Sequence, residues 1–388
     1  MKHFFTLIAA SAALLCAGAA HAIQDCELNG ESVNPANGNT TAGKTGLMRC
    51  KERDSGLLMH EQELQNGRFM GIERFYQNGK LLRERSVNER GNSQGRAREF
   101  APDGQVLREA TYDNGREVGL VRSNHASGAL QRITFYGGTN GSELAYAEFT
   151  PRGQLRGLRC GDKPLLAPLA DDARLCGFGA SIAPAELFND ASVLQARVLY
   201  QAGQRQRLEE LYANGQPARV EELKSGIRTE RRFAEDGVLR REVLWQLEGN
   251  DARSASKTQE REFSEKGTLT REQRWTDRKL ASDSSFYLNG QPRSRAVYGR
   301  DDNTDVVDET DFHDNGQPAH TGRYATVSRY ERRAVGRHQS FDAQGKLVGE
   351  SLYDIRGRIS RERAWDASGQ LLRDDEVFED GSRKAFAK

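Results

Sequence analysis

A complete phosphate-binding pattern stands near the start of the chain. Gly38, Gly43, Lys44 and Thr45 have the spacing of the P-loop, G-x-x-x-x-G-K-[ST], in which backbone amides and a lysine hold nucleotide phosphates. The P-loop needs a buried strand before it and a helix after it, whereas polar residues and a proline precede this segment and Cys50 follows it. We therefore interpret it as a glycine-, threonine- and asparagine-rich loop held by a disulfide, and predict no nucleotide cofactor.

The other residues of catalytic type form no recognisable site. The histidines beyond the first 22 residues are His60, His125, His313, His320 and His338. They lack the close spacing of metal ligands, and the chain has no G-x-S-x-G motif. The acidic residues stand beside arginines, as cross-strand partners in a sheet would. We predict a non-enzymatic protein without a metal or other cofactor; an enzyme hidden in residues 157–190 is the least favoured alternative.

The N-terminus is typical of an export signal. A short basic start precedes an apolar stretch from Phe4 to Ala20, and Ala20-His21-Ala22 is an A-x-A cleavage site. We expect residues 1–22 to be a signal peptide and the mature chain to be periplasmic. Lipidation at Cys16 is a rival that Leu15 disfavours, because the lipidation signal wants a small residue there. No second segment approaches the ~20 apolar residues of a membrane span.

Four cysteines remain after cleavage, and an even number in an exported chain predicts disulfides. The cysteines are Cys26, Cys50, Cys160 and Cys176, which allow three pairings. We favour Cys26–Cys50 with Cys160–Cys176, because the members of each pair are close in sequence and each pair brackets a segment outside the regular pattern.

The charge balance argues against nucleic acid as a partner. Removal of residues 1–22 leaves 56 basic and 56 acidic residues, so the mature chain is formally neutral. Hydrophobic residues make up 36% of the chain against 29% charged, and the mean hydropathy is −0.76. Arginine outnumbers lysine 45 to 12, and arginine is the better partner for bidentate carboxylate contacts. We predict a thin, ordered β structure in which most arginines lie in Arg–Glu ladders.

A glycine recurs about every twelve residues through most of the chain. One version of the repeat is Phe100-Ala-Pro-Asp-Gly104, and a second carries Asn-Gly, as in Tyr112-Asp-Asn114-Gly115 and Tyr212-Ala-Asn214-Gly215. Asn-Gly and Asp-Gly mark hairpin turns because these turns need positive φ. About eight residues remain between turns, which suits a strand. The fold class is therefore all-β.

The repeats fall into two blocks. The predicted divisions are a signal peptide at 1–22, a disulfide-tied N-terminal cap at 23–55, a first repeat block at 56–156, a Cys-containing insert at 157–190 and a second repeat block at 191–388. Within the insert, Pro184 to Phe188 suggests a short helix. Polar departures at residues 250–257 and 300–309 suggest loops at strand ends.

The repeat resembles the MORN repeat, in particular its bacterial variant in YwqK-like antitoxin and immunity proteins. Phe75-Tyr-Gln-Asn-Gly79-Lys-Leu81 and Trp365-Asp-Ala-Ser-Gly369-Gln-Leu371 carry the resemblance. It implies an elongated antiparallel sheet of consecutive hairpins, interrupted here by the insert, and a role in binding.

An exported member would resemble a periplasmic immunity protein that binds a secreted toxin, for example a type VI effector, one-to-one. An envelope scaffold or a lipid- or glycan-binding repeat protein is the alternative. Because tryptophan, tyrosine and arginine dominate protein interfaces, and because the insert is irregular, the candidate partner-binding residues are Phe178, Phe188, Trp245, Trp275 and Trp365.

Overall fold

A computed structural model describes residues 24–138, 140–179, 182, 184–248, 254–328 and 331–387. The predicted signal peptide lies outside these residues. Nearly all the regular secondary structure of the described chain is β-strand, and the chain contains two disulfides, Cys26–Cys50 and Cys160–Cys176, the pairing favoured from the sequence. It divides into two compact units between Tyr146 and Ala147.

The first sheet has twelve strands among the described residues, and from β3 to β12 each strand lies beside the next in sequence. Strand β1 lies between β3 and β2. The strands are β1 (Gln24–Leu28), β2 (Glu31–Val33), β3 (Gly46–Glu52), β4 (Leu58–Gln65), β5 (Arg68–Gln77), β6 (Lys80–Val87), β7 (Ser93–Phe100), β8 (Val106–Asp113), β9 (Arg116–Asn124), β10 (Leu130–Gly137), β11 (Ser142–Phe149) and β12 (Leu155–Arg159).

The second sheet has seventeen strands among the described residues, all in sequence order. They are β13 (Ala185–Phe188), β14 (Leu194–Gln201), β15 (Gln204–Leu211), β16 (Pro217–Lys224), β17 (Ile227–Phe233), β18 (Leu239–Leu247), β19 (Ala255–Phe263), β20 (Leu269–Thr276), β21 (Lys279–Phe286), β22 (Pro292–Asp301), β23 (Thr304–Phe312), β24 (Pro318–Ser328), β25 (Glu331–Phe341), β26 (Leu347–Tyr353), β27 (Ile359–Trp365), β28 (Leu371–Val377) and β29 (Arg383–Ala387). The sequence prediction of an all-β fold of consecutive antiparallel hairpins is confirmed.

Two Asn-Gly dipeptides that occur in similar sequence contexts form different turns. In Asn114-Gly115 both residues have positive φ, 48° and 84°, so this is a two-residue hairpin turn. In Asn214-Gly215 only the glycine does, with φ of 81°, and Gly215 N–H donates to the Tyr212 carbonyl at 2.9 Å in a longer loop. The sequence therefore predicts a turn at each position but does not distinguish the two types.

Asparagine side chains tie the longer loops of the second sheet to one another. The Asn214 side-chain amide donates to the Glu235 carbonyl at 2.9 Å; Glu235 lies in the next loop on the same side of the sheet, at the ends of the strands. Asn289 and Asn315 make the corresponding bonds at 2.8 and 2.7 Å. These bonds hold neighbouring hairpins in register at their ends.

A compact apolar core lies at the start of the first sheet. Cys26 and Cys50 stand directly opposite each other on β1 and β3. Their disulfide is buried in a cluster completed by Leu28, Val33, Met48 and Leu64. The predicted N-terminal cap therefore forms strands that pair with the first repeats through β3 and β4.

A row of charged residues crosses seven strands of the first unit. One residue per strand, from β3 to β9, alternates in charge: Arg49, Glu61, Arg74, Glu84, Arg98, Glu109 and Arg122. Arg74 bonds both neighbouring glutamates, at 3.3 and 2.7 Å. The hydrogen bond from Arg98 holds the pKa of Glu84 below its usual range against the effect of burial. The predicted Arg–Glu ladder is thus present.

The insert contains the short helix α1 (Asp172–Leu175), and its predicted helix at residues 184–188 is wrong. Residues 185–188 form β13, which pairs antiparallel with β14 at the edge of the second sheet, so their backbone groups bond across strands. The buried Asp172 carboxylate accepts the backbone N–H groups of Leu165 and Leu166 at 2.5 and 2.8 Å.

The predicted loop at residues 300–309 is also wrong. β22 continues to Asp301 and β23 begins at Thr304, so only a tight turn separates the two strands. The polar residues here occupy strand positions because both faces of the sheet carry charge. Of the other predicted loop, residues 250–253 lie outside the described chain, and β19 begins at Ala255.

A candidate partner-binding groove on the second sheet

One face of the second sheet carries a repeated ion pair, and we call it the groove face. Arg219, Arg241 and Arg271, on β16, β18 and β20, form an arginine row. Each arginine bonds a carboxylate on the following strand. In every pair, the acidic residue comes two positions before the residue that lies directly opposite the arginine. The bonds are Arg219–Glu230 at 3.0 Å, Arg241–Glu260 at 2.6 Å and Arg271–Asp283 at 2.6 Å. These acids begin a carboxylate row.

The arginine row stops after β20. At the same register position the following strands carry Ser285, Ser294, Asp311, His320, Ser340, Gly349 and Ala364, before Arg373 on β28. Most of these side chains are short, and two separate cavities lie along them; we call this strip of the face, from β21 to β27, the groove. At ~4.8 Å per strand, six spacings give a length of about 29 Å. This length suits a segment of a protein partner.

Two cavities lie along this groove. The first, of about 330 Å³, is lined by Ser285, Ser294 and Asp311 together with Tyr298. The second, of about 490 Å³, is lined by His320, Ser340, Gly349 and Ala364. Their linings include the residues that replace the arginine row, so the loss of long side chains accounts for both cavities.

Tyrosines and a buried histidine flank the groove on one side. Tyr298 and Tyr324 lie on either side of Val307 in the strand register. His338 is 6% exposed, its ring packs edge-to-face with the rings of Tyr324 and Tyr353, and its Nε2 bonds the Arg323 carbonyl at 2.8 Å. Aromatic side chains therefore line one side of the groove, and mostly small side chains line its base.

The Tyr324 hydroxyl lies in a negative environment within the groove. Burial raises the pKa of Tyr324, and the charges of Glu309 and Asp311 raise it further. Tyr324 is therefore a neutral hydrogen-bond donor at physiological pH.

Two of the predicted tryptophans lie on the groove face, N-terminal to the groove. Trp245 pairs with Arg228 and Lys257 on the adjacent strands. The Arg228 guanidinium lies 4.4 Å from the Trp245 ring centre, and the Lys257 ammonium lies 3.8 Å from that of Trp275. Both indole rings are half-buried. The rings and cations form a stacked row that continues the groove toward β17.

The other predicted partner-binding residues lie elsewhere. Trp365 alternates with Ala364 along β27, so the two side chains point to opposite faces and Trp365 is not on the groove face. Phe178 lies in the insert and Phe188 ends β13, both half-buried. The structure thus brings Trp245 and Trp275 together and leaves Phe178, Phe188 and Trp365 apart from them.

The insert packs tightly on the β14–β15 turn. Gly203 N–H donates to the Cys176 carbonyl and Ala202 N–H to the Gly177 carbonyl, each at 2.9 Å. A Cβ on Gly203 would lie 2.0 Å from the Gly161 carbonyl oxygen. This close contact indicates that the insert is a fixed part of the second unit.

Sequence reasoning missed the groove. The sequence feature that marks the groove is the replacement of arginine, present at 219, 241 and 271, by serine at 294. These four residues are seen to share one register position only when the bulges that shift the strand register are known. Sequence spacing likewise does not show that His320 and His338 lie close together, with ring centres 5.6 Å apart.

Within the described chain, the residues of metal-ligating type and the segment that matches the P-loop are not arranged as a metal or phosphate site. Among the described residues, no group of three His, Cys, Asp or Glu side chains is arranged to hold a metal ion. In the segment that matches the P-loop, residues 38–40 form a short 3₁₀ helix, Lys44 binds Glu31 at 2.6 Å, and a strand follows. That segment lacks the strand–loop–helix geometry that cradles phosphate. Within the described chain, no helix has the length and apolar character to cross a membrane.

Comparison with known families identifies one segment. A family model described as a MORN repeat variant matches residues 93–114, which comprise hairpin β7–β8 and the first residue of the turn that follows. The chain therefore contains a MORN-type repeat, and the surrounding hairpins extend the same architecture. Repeat sheets of this kind present extended surfaces typical of binding proteins. No curated protein matches the chain.

Similar solved structures share little sequence with this chain. The crystal structure of TcdB2-TccC3-Cdc42 is 11% identical over 93% of this chain and 19% of that chain, with a TM-score of 0.18. For TcdB2-TccC3 the values are 12%, 89%, 23% and 0.13. A Bacteroides fragilis protein of unknown function is 14% identical over 39% of this chain and 94% of that chain, with a TM-score of 0.11. The chain thus spans less than a quarter of the first two, and none of the three carries an argument about function.

Proposed function

We propose that this protein is a non-enzymatic binding protein of the periplasm that neutralises a secreted antibacterial toxin. The toxin binds one-to-one across the groove face of the second sheet. The observation that carries the proposal is the end of the arginine row at β20, because this change turns a flat charged ladder into a groove lined by hydroxyls and tyrosines.

The chemistry of the groove face supports a protein partner. Tryptophan, tyrosine and arginine are the residues that contribute most to protein interfaces, and Trp245, Trp275, Tyr298 and Tyr324 lie on this one face. The cations stacked on the indole rings keep those rings ordered before binding, so less conformational entropy is lost when the complex forms.

The compartment is part of the proposal. The two disulfides are typical of proteins that fold in an oxidising environment, and the N-terminal sequence is typical of an export signal. The likeness of the repeat to bacterial antitoxin and immunity proteins supports the toxin as the partner.

A growth competition tests this function. Cells that lack the gene should be killed by neighbours that deliver the toxin, and expression of the full chain with its export signal should protect them. A chain carrying Trp245→Ala and Trp275→Ala should protect poorly, whereas Trp365→Ala, on the opposite face, should protect fully. Equal survival of deleted and complemented cells under attack would exclude the immunity role.

The alternative is an envelope protein that binds a glycan. The aromatics of β18, β20, β22 and β24 lie on alternate strands, about 10 Å apart, a spacing that suits stacking of sugar rings. A glycan-binding protein would show no toxin-dependent phenotype and would bind isolated envelope polysaccharide, which separates the two functions.

A further inference from the structure

We propose that the groove accepts an arginine side chain of the bound protein beside Ser294, where it completes the interrupted arginine row by binding Glu309 and Asp311. The inference deepens the proposed function, on which it rests, by stating the chemistry of the partner residue.

The repeat defines the position of the missing cation. Ser294 lies on β22, two strands after Arg271, as Arg271 lies two strands after Arg241. Asp311 is directly opposite Ser294, and Glu309 is two residues before Asp311. Glu309 therefore has the same position relative to Ser294 as Asp283 has relative to Arg271. Ser294 thus occupies the register position at which the earlier strands carry an arginine.

The carboxylate at this position is less covered than its counterparts. The Glu309 side chain is 32% exposed, against 12% for Glu230, 9% for Glu260 and 19% for Asp283. Its ion pair comes instead from Arg332 on β25. The missing arginine thus leaves part of a carboxylate open to the groove.

Asp311 adds a second carboxylate on the same face. Asp311 is exposed, and no hydrogen bond or ion pair joins its carboxylate to any of the described side chains. The positions that flank it in the register are Ser294 and His320. Along most of this ladder an acid has an arginine within reach, so Asp311 is a negative charge available to a partner.

The cavity has the chemistry that recognises guanidinium. Glu309, Asp311 and Tyr298 line the same space of about 330 Å³. A planar guanidinium binds two carboxylates through separate N–H groups and stacks on an aromatic ring, which an ammonium does less well. The chain itself shows this arrangement, because the Arg332 guanidinium binds Glu309 and lies 5.8 Å from the Tyr298 ring centre.

Peptide binding to the full mature chain tests the inference. The probes are a fluorescent capped pentapeptide with one central arginine among alanines and serines, and its citrulline twin, which has the same shape without the charge. We expect the arginine peptide to bind at least about tenfold more tightly, a difference of about 1.4 kcal/mol. Equal binding of the two peptides would overturn the inference.

Three variants locate the site. Asp311→Asn should reduce arginine-peptide binding to the citrulline level. Ser294→Arg, which supplies the missing cation from the chain itself, should abolish the preference for arginine while leaving thermal stability unchanged or higher. Asp314→Asn is the control, because it removes the same charge from the exposed loop three residues away. Unchanged binding by Asp311→Asn or Ser294→Arg would refute the site.

Capture of the native partner distinguishes this inference from the proposed function. If Ser294→Arg still captures the secreted protein fully, the arginine site is wrong while the binding function stands. If the wild-type chain selects the arginine peptide but captures no secreted protein, the site is correct and the toxin is not its partner.

Discussion

Replacement of Arg219 by methionine should destabilise the second unit in a pH-dependent way. Glu221 and Glu230 stand directly opposite each other on β16 and β17, and the Arg219 guanidinium bonds both, at 2.9 and 3.0 Å. Like charges directly opposite in a sheet are unfavourable. Methionine keeps the packing of the side-chain stem but removes the shared cation.

The expected loss in the free energy of unfolding is about 1–2 kcal/mol at pH 7. The Arg219 side chain is 27% exposed, so its bonds are more than surface contacts. The loss is limited because Glu221 keeps Arg205 at 2.7 Å and Glu230 keeps Arg232 at 2.8 Å.

The effect should shrink as the solution becomes acidic. Burial raises the pKa of Glu230, but hydrogen bonds from Arg232 and Arg219 outweigh burial and hold the pKa below its ordinary value of 4.5. A carboxyl with a lowered folded-state pKa stabilises the fold above its unfolded pKa and loses that contribution as pH falls. The variant has less of this contribution to lose, so wild type and variant should converge toward pH 4.

Urea unfolding followed by tryptophan fluorescence measures this difference, because all three tryptophans lie in the second unit. With an m-value of ~3 kcal/mol/M, the urea midpoint should fall by about 0.3–0.7 M at pH 7. Arg356→Met, in an exposed loop without an ion pair to the rest of the described chain, should leave it unchanged. A difference between wild type and Arg219→Met that is the same at pH 7 and pH 4 would refute the reasoning.

Further predictions concern the first unit, the insert and acid. The Tyr76 hydroxyl donates to Glu61 at 2.7 Å, and burial together with this bond raises the pKa of Tyr76 to about 12. Tyr76→Phe should therefore lower the free energy of unfolding, measured in urea, by ~1–2 kcal/mol. An unchanged free energy of unfolding would contradict the stabilising role of the bond. Gly203→Ala should open the insert to limited proteolysis, because its Cβ would clash with Gly161, whereas Gly215→Ala, which has open space and similar φ, should not. The melting temperature should fall as pH drops below about 4.5, because many ladder carboxyls have a lowered pKa; a melting temperature that is constant from pH 7 to pH 3 would contradict the stabilising role of the ladders.

The local features of the fold were predictable from sequence because they depend on neighbouring residues. Asn114-Gly115 and similar words specify turns through the backbone alone, and pairs of cysteines close in sequence specify the disulfides. The short segment at residues 184–188 was not predictable in this way, because pairing with β14, a tertiary contact, decides its conformation.

The groove depends on register across many strands, which sequence alone does not supply. Ser294 occupies the place of Arg271 only once the bulges next to Trp275 and Phe286 are counted. A one-residue error in register moves a side chain to the other face of the sheet. The tryptophans were identifiable by residue type, but the separation of Trp365 from Trp245 and Trp275 required the strand pairing.

Purification of the tagged mature chain from the periplasm of its native host, followed by mass spectrometry, will show what the groove face binds. We predict one secreted protein at equal molar amounts, retained by Trp365→Ala and lost from the Trp245→Ala, Trp275→Ala double variant. Recovery of envelope components alone, or of the same secreted protein by the double variant, would contradict the proposal that the groove face binds a toxin.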